Sequence, residues 1–311
     1  MRFSSLDAIM NSAKNLGLSR VAVAAAADKD VLEAVKLAQD EGLVEPILFG
    51  DMQEIQRIAT ESGLKLKESQ IIHAPNQAAA ANAAVDAVVD GQAHFLMKGL
   101  VNSADFLRAV LRSERGLRTG RLLSHIGAFE VKGLSRLLFI TDGGINIAPD
   151  LAQKKEILQS SLDFLHRIGM NSVNVAVLAA NEVPNAKMQA AMDALALTEI
   201  NQAGEFAGAV VEGPLALDGA ISAKSLKQKG IKSKINGEAD LFLAPTIEVG
   251  NVFAKSLVYF AGATMAGIIL GAKVPIVLTS RSDTPRSKLM SLALAALSRQ
   301  SLANHLSLAG K

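Results

Sequence analysis

No cysteine and no tryptophan occur in the 311 residues, and tyrosine occurs once. The missing cysteine excludes disulfides, thiolate metal sites and a cysteine nucleophile, and it fits a reducing cytoplasm. An excess of one charge is missing too: 32 Lys and Arg face 30 Asp and Glu, a formal net of +2. That balance provides no broad basic field for nucleic acid or an acidic membrane. The opening residues, MRFSSLDAIMNSAKNLGLSR, lack the uninterrupted apolar core of about 7–15 residues that a signal peptide carries. One uncharged run, residues 256–272, falls short of the about 20 apolar residues of a spanning helix and is rich in Gly and Ala. It predicts a buried core helix. The expectation is a soluble, cytoplasmic protein with neither membrane nor nucleic acid as partner.

Common signatures of chemistry are absent as well. There is no GxxxxGKS or GxxxxGKT, no GxGxxG after a strand and no GxSxG, so P-loop, ordinary dinucleotide and nucleophile-elbow readings lose their support. The five histidines, His73, His94, His125, His166 and His305, show no ligand spacing, and no metal site is expected.

What is present reads as a folded α/β chain. Half the residues are hydrophobic and a fifth are charged, the balance of a globular protein of one large or two ordinary domains. Short aliphatic runs (21–25, 46–49, 71–73, 95–97, 173–179, 209–211, 241–243, 275–279) alternate with helical patterns (28–42, 51–62, 76–89, 105–112, 151–168, 185–201, 249–270, 285–299). Residues 126–131 and 137–140 read as paired strands joined by Lys132-Gly133. Such alternation predicts largely parallel sheets covered by helices. Two α/β domains around a cleft are expected, one formed by residues 1–140 plus 281–311, the other by 141–280.

Ligands of such sheets bind outside the carboxyl ends of strands. The polar and Gly-rich segments at those ends are therefore the candidates. Ser280-Arg281-Ser282-Asp283 follows the strand at 275–279 and precedes a helix. A simpler reading of that segment has Ser282 or Asp283 capping the helix, with Pro285 in its first turn. Asp142-Gly143-Gly144 with Asn146, Gly213 with Asp218, and Gly250-Asn251 with Lys255 one helical turn on make three more, and Lys98 ends another strand. Arg108 begins a cationic stretch and Arg136 precedes a strand. Arginine grips phosphate in a bidentate fork, so a phosphorylated ligand suits this set.

The order and wording of four segments, TDGGINIAPDL (141–151), VEGPLALDGAIS (211–222), GEADLFLAPTIEVGNVFAKSLVYFAGATMAG (237–267) and VPIVLTSRSDT (274–284), resemble the phosphate acetyltransferase/phosphate butyryltransferase family. The similarity runs from about residue 98 to 292, and more loosely to the N-terminus, and the wording is nearer the butyryl branch. The resemblance implies two α/β domains around a deep cleft, like isocitrate and isopropylmalate dehydrogenases, in a homodimer or higher homo-oligomer. It implies reversible transfer of a short acyl group between CoA and inorganic phosphate, giving acyl phosphate, with no tightly bound cofactor and no metal. The family's Ser-Arg pair falls on Ser280 and Arg281, its Gly-Asn-x-x-x-Lys on Gly250, Asn251 and Lys255, and its phosphate-binding Arg on Arg108, with Arg136 beside it in role. In the acetyl branch a carboxylate follows seven residues after the Ser. Here that position is Ser287, and Asp283, the nearest carboxylate, is taken as the base. Lys98, Asp142, Gly143, Gly144, Asn146, Gly213 and Asp218 are expected to line the CoA side. Two other readings stay open: a non-catalytic acyl-CoA or phosphate sensor of the same fold, and a metal- and nicotinamide-dependent decarboxylating dehydrogenase.

Overall fold

The structure, a computed structural model, describes residues 2–280 and 282–299. It divides into two compact units.

The first unit opens with α1 (Leu6–Lys14) and continues through β1 (Ser19–Ala24), α2 (Lys29–Asp40), β2 (Val44–Gly50), α3 (Met52–Ser62), β3 (Ile71–His73), α4 (Gln77–Val89), β4 (Phe95–Lys98) and α5 (Ser103–Val110). Local chemistry sets these boundaries. The carboxylates of Asp28 and Asp51 and the amide oxygen of Asn76 accept the backbone N–H three residues on, capping α2, α3 and α4.

The chain then builds the second unit, residues 122–264 together with 1–5. Its elements are β5 (Ser124–Glu130), β6 (Leu138–Thr141), α6 (Leu151–Arg167), β7 (Val173–Leu178), α7 (Gln189–Gln202), β8 (Ala209–Leu215), α8 (Leu217–Ile221), α9 (Ala223–Lys229), β9 (Leu241–Leu243) and α10 (Ile247–Tyr259). β10 (Thr264–Leu270), β11 (Ile276–Val277) and α11 (Pro285–Leu297) complete the first unit.

In the first unit the strands run β3-β2-β1-β4-β11-β10, parallel except for the β10–β11 pair. In the second they run β5-β6-β9-β7-β8, parallel except for the β5–β6 hairpin. Strands covered on both faces carry continuous apolar runs, and Val21, Val23, Phe95, Leu96 and Met97 in the first unit and Phe139, Val175, Leu241 and Phe242 in the second are buried. Each such side chain contributes roughly 1.5–3 kcal/mol relative to exposure.

Two sequence expectations change. Residues 249–270 are not one helix: α10 ends at Tyr259, Gly262 takes a left-handed φ of 63°, and TMAGIIL continues as β10. The expected buried helix at 256–272 is thus a helix end followed by a strand. A Gly- and Ala-rich apolar run has no polar face to mark its period, and the β-branched Ile268 and Ile269 favour the strand. The units also divide at 121/122 and 264/265, not at 140/141 and 280/281. β6 joins β9 in parallel, so its hairpin partner β5 goes with the second unit. Among the described residues no helix is long and apolar enough to cross a membrane.

Candidate functional site

In the first unit β1, β4 and β11 are parallel, so Ala24, Lys98 and the segment after Val277 share one edge of the sheet. β11 leads through buried Thr279 to exposed Ser280. There the chain closes on itself. The Ser280 N–H donates to Asp283 Oδ2 at 2.8 Å and the Asp283 N–H returns to the Ser280 carbonyl at 3.2 Å. The Ser280 and Ser282 hydroxyl oxygens are 3.0 Å apart. The buried Lys288 donates its ammonium to the Asp283 carbonyl.

Neither Ser282 nor Asp283 caps α11. Thr284 does, its hydroxyl accepting the Ser287 N–H at 3.1 Å, with Pro285 in the first turn. The Asp283 carboxylate therefore belongs to the loop and not to the helix. Arg281 lies outside the described residues.

Lys98 is buried at the end of β4, and its ammonium donates to the carbonyls of Gly99 (3.2 Å) and Val101 (2.9 Å). It braces the turn into α5. Arg108 stands 76% exposed in the last turn of α5, its guanidinium paired with Asp105.

The second unit gathers its own cluster where β6 and β9 end side by side. Asp142 is 2% exposed. Its Oδ1 accepts the N–H groups of Gly144 (2.8 Å) and Ile145 (3.1 Å), and its Oδ2 accepts Asn146 N–H (3.2 Å) and Asn146 Nδ2 (2.6 Å). Asn146 Nδ2 also reaches the Leu123 carbonyl at 2.8 Å. Gly143 and Gly250 touch through their backbones: a Cβ on Gly250 would lie 2.5 Å from the Asp142 carbonyl oxygen. Asn251 Nδ2 donates to the Gly143 carbonyl at 3.2 Å, and Ile247 N–H to the Ile147 carbonyl at 2.9 Å. Lys255 is exposed one turn further along α10. Six of the second unit's sequence candidates, Asp142, Gly143, Gly144, Asn146, Gly250 and Asn251, thus meet as one body, the 142–146 loop against the start of α10.

The pattern of the phosphate acetyl/butaryl transferase family matches residues 4–86 and 73–296. The chain belongs to that family. It is 44% identical to the phosphate butyryltransferase of Clostridium acetobutylicum over 94% of this chain and 97% of that one. To the phosphate acetyltransferase of Thermotoga maritima it is 40% identical, over 94% and 99%. Among solved structures, a branched-chain phosphotransacylase from Enterococcus faecalis V583 superposes with a TM-score of 0.80 at 33% identity, covering 90% of this chain and all but 1% of that one, at 99%.

Other residues expected at the family's site stand apart. Arg136 lies before β6, at the opposite end of the strands from Asp142. Its Nε donates to the Ala239 carbonyl at 3.2 Å and lies 4.0 Å from Asp240, which also takes Arg2 Nε at 2.8 Å and the Asn174 N–H at 2.9 Å. Burial holds the Asp240 carboxyl above its ordinary range despite these donors. Arg136 is thus part of a structural cluster, placed there because a buried carboxylate needs cationic neighbours.

Gly213 sits within β8. A Cβ there would come 2.8 Å from Val177 Cβ and 3.0 Å from Ala194 Cβ, and its carbonyl accepts the Thr198 hydroxyl at 2.9 Å. Close packing of β8 on β7 and α7 accounts for the glycine. Asp218 on α8 lies at the outer strand of the sheet, where Lys229 donates to it at 2.8 Å and holds its carboxyl below the ordinary range. Lys229 also bonds Glu182 at 2.9 Å.

Sequence reading passed over two residues at these edges. His125 on β5 lays its side chain over Gly144, where a Cβ would be 3.3 Å from His125 Cβ. A lone histidine without ligand spacing carries no signal of that position. Lys288 did carry one: it is the single charge in KLMSLALAAL. A cavity of about 440 Å³ opens at the other end of the first unit's sheet, beside Leu18, Val44, Lys65 and Gln70. No sequence candidate borders it.

Proposed function

We propose that the chain catalyses reversible transfer of a short acyl group, butyryl in first place and acetyl in second, between CoA and inorganic phosphate. Its family membership over nearly the whole chain supports the reaction class. The observation that carries the residue roles is the loop after β11, where an exposed serine and a half-buried aspartate are joined by reciprocal hydrogen bonds at a sheet's carboxyl edge.

In the direction that consumes acyl phosphate, the CoA thiol gives its proton to the Asp283 carboxylate. A thiol is only a few per cent thiolate at neutral pH, so a base beside it matters. The thiolate sulfur attacks the acyl carbon, the carbonyl oxygen becomes an oxyanion, and the carbon–oxygen bond to the phosphoryl group breaks with phosphate as the leaving group. Asp283 then carries the proton, and a carboxylate whose one oxygen holds the Ser280 N–H keeps its second oxygen for that task. Because the Ser280 N–H is engaged, its hydroxyl is the donor assigned to the oxyanion. One such donor contributes roughly 3 kcal/mol. Arg281 and Arg108 are assigned to the phosphoryl oxygens, and their delocalised positive charge favours departure of phosphate.

Asn251 and Lys255 are assigned to phosphate or CoA recognition beside the 142–146 loop. Asp142 shapes that loop and touches no substrate, because four N–H groups already occupy its oxygens. The steps need neither a covalent enzyme intermediate nor a tightly bound cofactor. A likeness to isocitrate and isopropylmalate dehydrogenases, a homo-oligomeric state and a cytoplasmic location belong to the same proposal.

The test is phosphate-dependent release of free CoA thiol from butyryl-CoA and acetyl-CoA. Wild-type turnover without added metal or nicotinamide is expected, with butyryl-CoA the better substrate. In Arg281→Ala it should fall by about 10²-fold or more, the scale of losing a transition-state charge contact. Saturable CoA binding without turnover on either substrate would overturn the proposal.

A further inference from the structure

We infer that Lys288 is a positioning residue for the acyl transfer proposed above: its buried ammonium fixes the main chain of Asp283 and with it the loop that presents Ser280. The reaction part of this inference rests on that proposal; the loop part rests on geometry alone.

α11 is buried at every position from Ser287 to Leu297, and Lys288 is the one charged side chain in that stretch. It is 3% exposed. Among the described residues its polar contact is a hydrogen bond to the Asp283 carbonyl oxygen, with no carboxylate beside it. Taking an ammonium out of water is costly, and one carbonyl acceptor offsets only part of that cost. Methionine, similar in length and apolar, would fill the same place in this helix without the penalty. A charge kept at the expense of stability marks a functional requirement.

The requirement is legible in the loop. Lys288 holds the Asp283 carbonyl, the Asp283 N–H holds the Ser280 carbonyl at 3.2 Å, and the Asp283 carboxylate holds the Ser280 N–H at 2.8 Å. The chain of contacts runs from a rigid buried helix to an exposed hydroxyl. Remove the ammonium and the Asp283 peptide is free to rotate. Its carboxylate then loses its register on Ser280, and base and oxyanion donor lose their mutual placement. Misplacement on the ångström scale is enough to lower a rate by orders of magnitude.

The experiment compares full-length wild type, Lys288→Met and Lys288→Arg by thermal unfolding, by kcat and KM in the thiol-release assay, and by hydrogen exchange of the loop amides. Lys288→Met is expected to melt at or above the wild-type temperature. Its kcat should drop about 10- to 100-fold while KM for acyl-CoA stays within about threefold, the signature of lost transition-state placement. The Ser280 and Asp283 amides should exchange about tenfold faster or more. Lys288→Arg, which keeps a donor, should recover most of the rate and the protection.

Wild-type kcat in Lys288→Met, unchanged amide protection, or destabilisation matching the loss of activity would each overturn the inference. A Met variant that failed to fold would contradict the stability expectation outright. The two failures are separable: a silent wild type sinks acyl transfer and the catalytic half of this inference, whereas an active wild type with an equally active Met variant sinks the inference alone.

Discussion

Asp142 and Asp283 both lie in a loop that follows a strand, and both accept backbone N–H groups, yet they are built for opposite purposes. Asp142 is 2% exposed and saturated by four N–H donors, and Gly143 and Gly250 press backbone to backbone beside it. Asp283 is partly exposed and among the described residues receives one N–H. A carboxylate whose lone pairs are all engaged is a brace; one that keeps an oxygen in reserve can take a proton. The same residue type in a loop after a strand thus serves as scaffold in one unit and as candidate chemistry in the other.

Substitution separates the two aspartates and their neighbours. The largest stability effect is expected at Asp142. Asp142→Ala leaves several part-buried N–H groups without their acceptor and should cost about 3 kcal/mol in urea unfolding. A near-neutral result would remove the distinction between the two aspartates. A smaller effect is expected at Arg136. Arg136→Ala removes a bond to the Ala239 carbonyl and a cation near buried Asp240, and should cost about 1 kcal/mol, with KM for phosphate unchanged within about twofold. A tenfold rise in that KM, scored by the thiol-release assay, would return Arg136 to the ligand site.

Local features were legible in the sequence wherever the cause was local. Asp28 and Asp30 announced α2, and Asp28 is the one that caps it, because a short polar side chain before an apolar-periodic run has a specific partner three residues on. The hairpin at Lys132-Gly133 and the strand at 71–73 were readable for the same reason. The meeting of the 142–146 loop with Gly250 and Asn251 followed from parallel strands, whose carboxyl ends must lie on one edge.

What was not legible depended on distant pairings. Arg136 looks like any strand-end arginine until Asp240, Ala239 and Arg2 are seen around it. Asp218 looks free until Lys229 is found on it. Gly213 reads as a loop glycine, yet it is a packing glycine because Val177 and Ala194 stand against it. The split of residues 249–270 into α10 and β10 escaped periodicity, since both halves are apolar and only Gly262 marks the break. Lys288 was passed over although composition carried its signal, a charge with no polar face to sit on.

The most direct measurement of the account is kcat for thiol release from butyryl-CoA in Asp283→Asn, taken together with its unfolding free energy. The account predicts a fall of about 10²- to 10⁴-fold in kcat, as expected for loss of a general base, with stability within about 1 kcal/mol of wild type. An Asn variant that turned over at the wild-type rate, or one that lost activity only in proportion to lost folded protein, would contradict it.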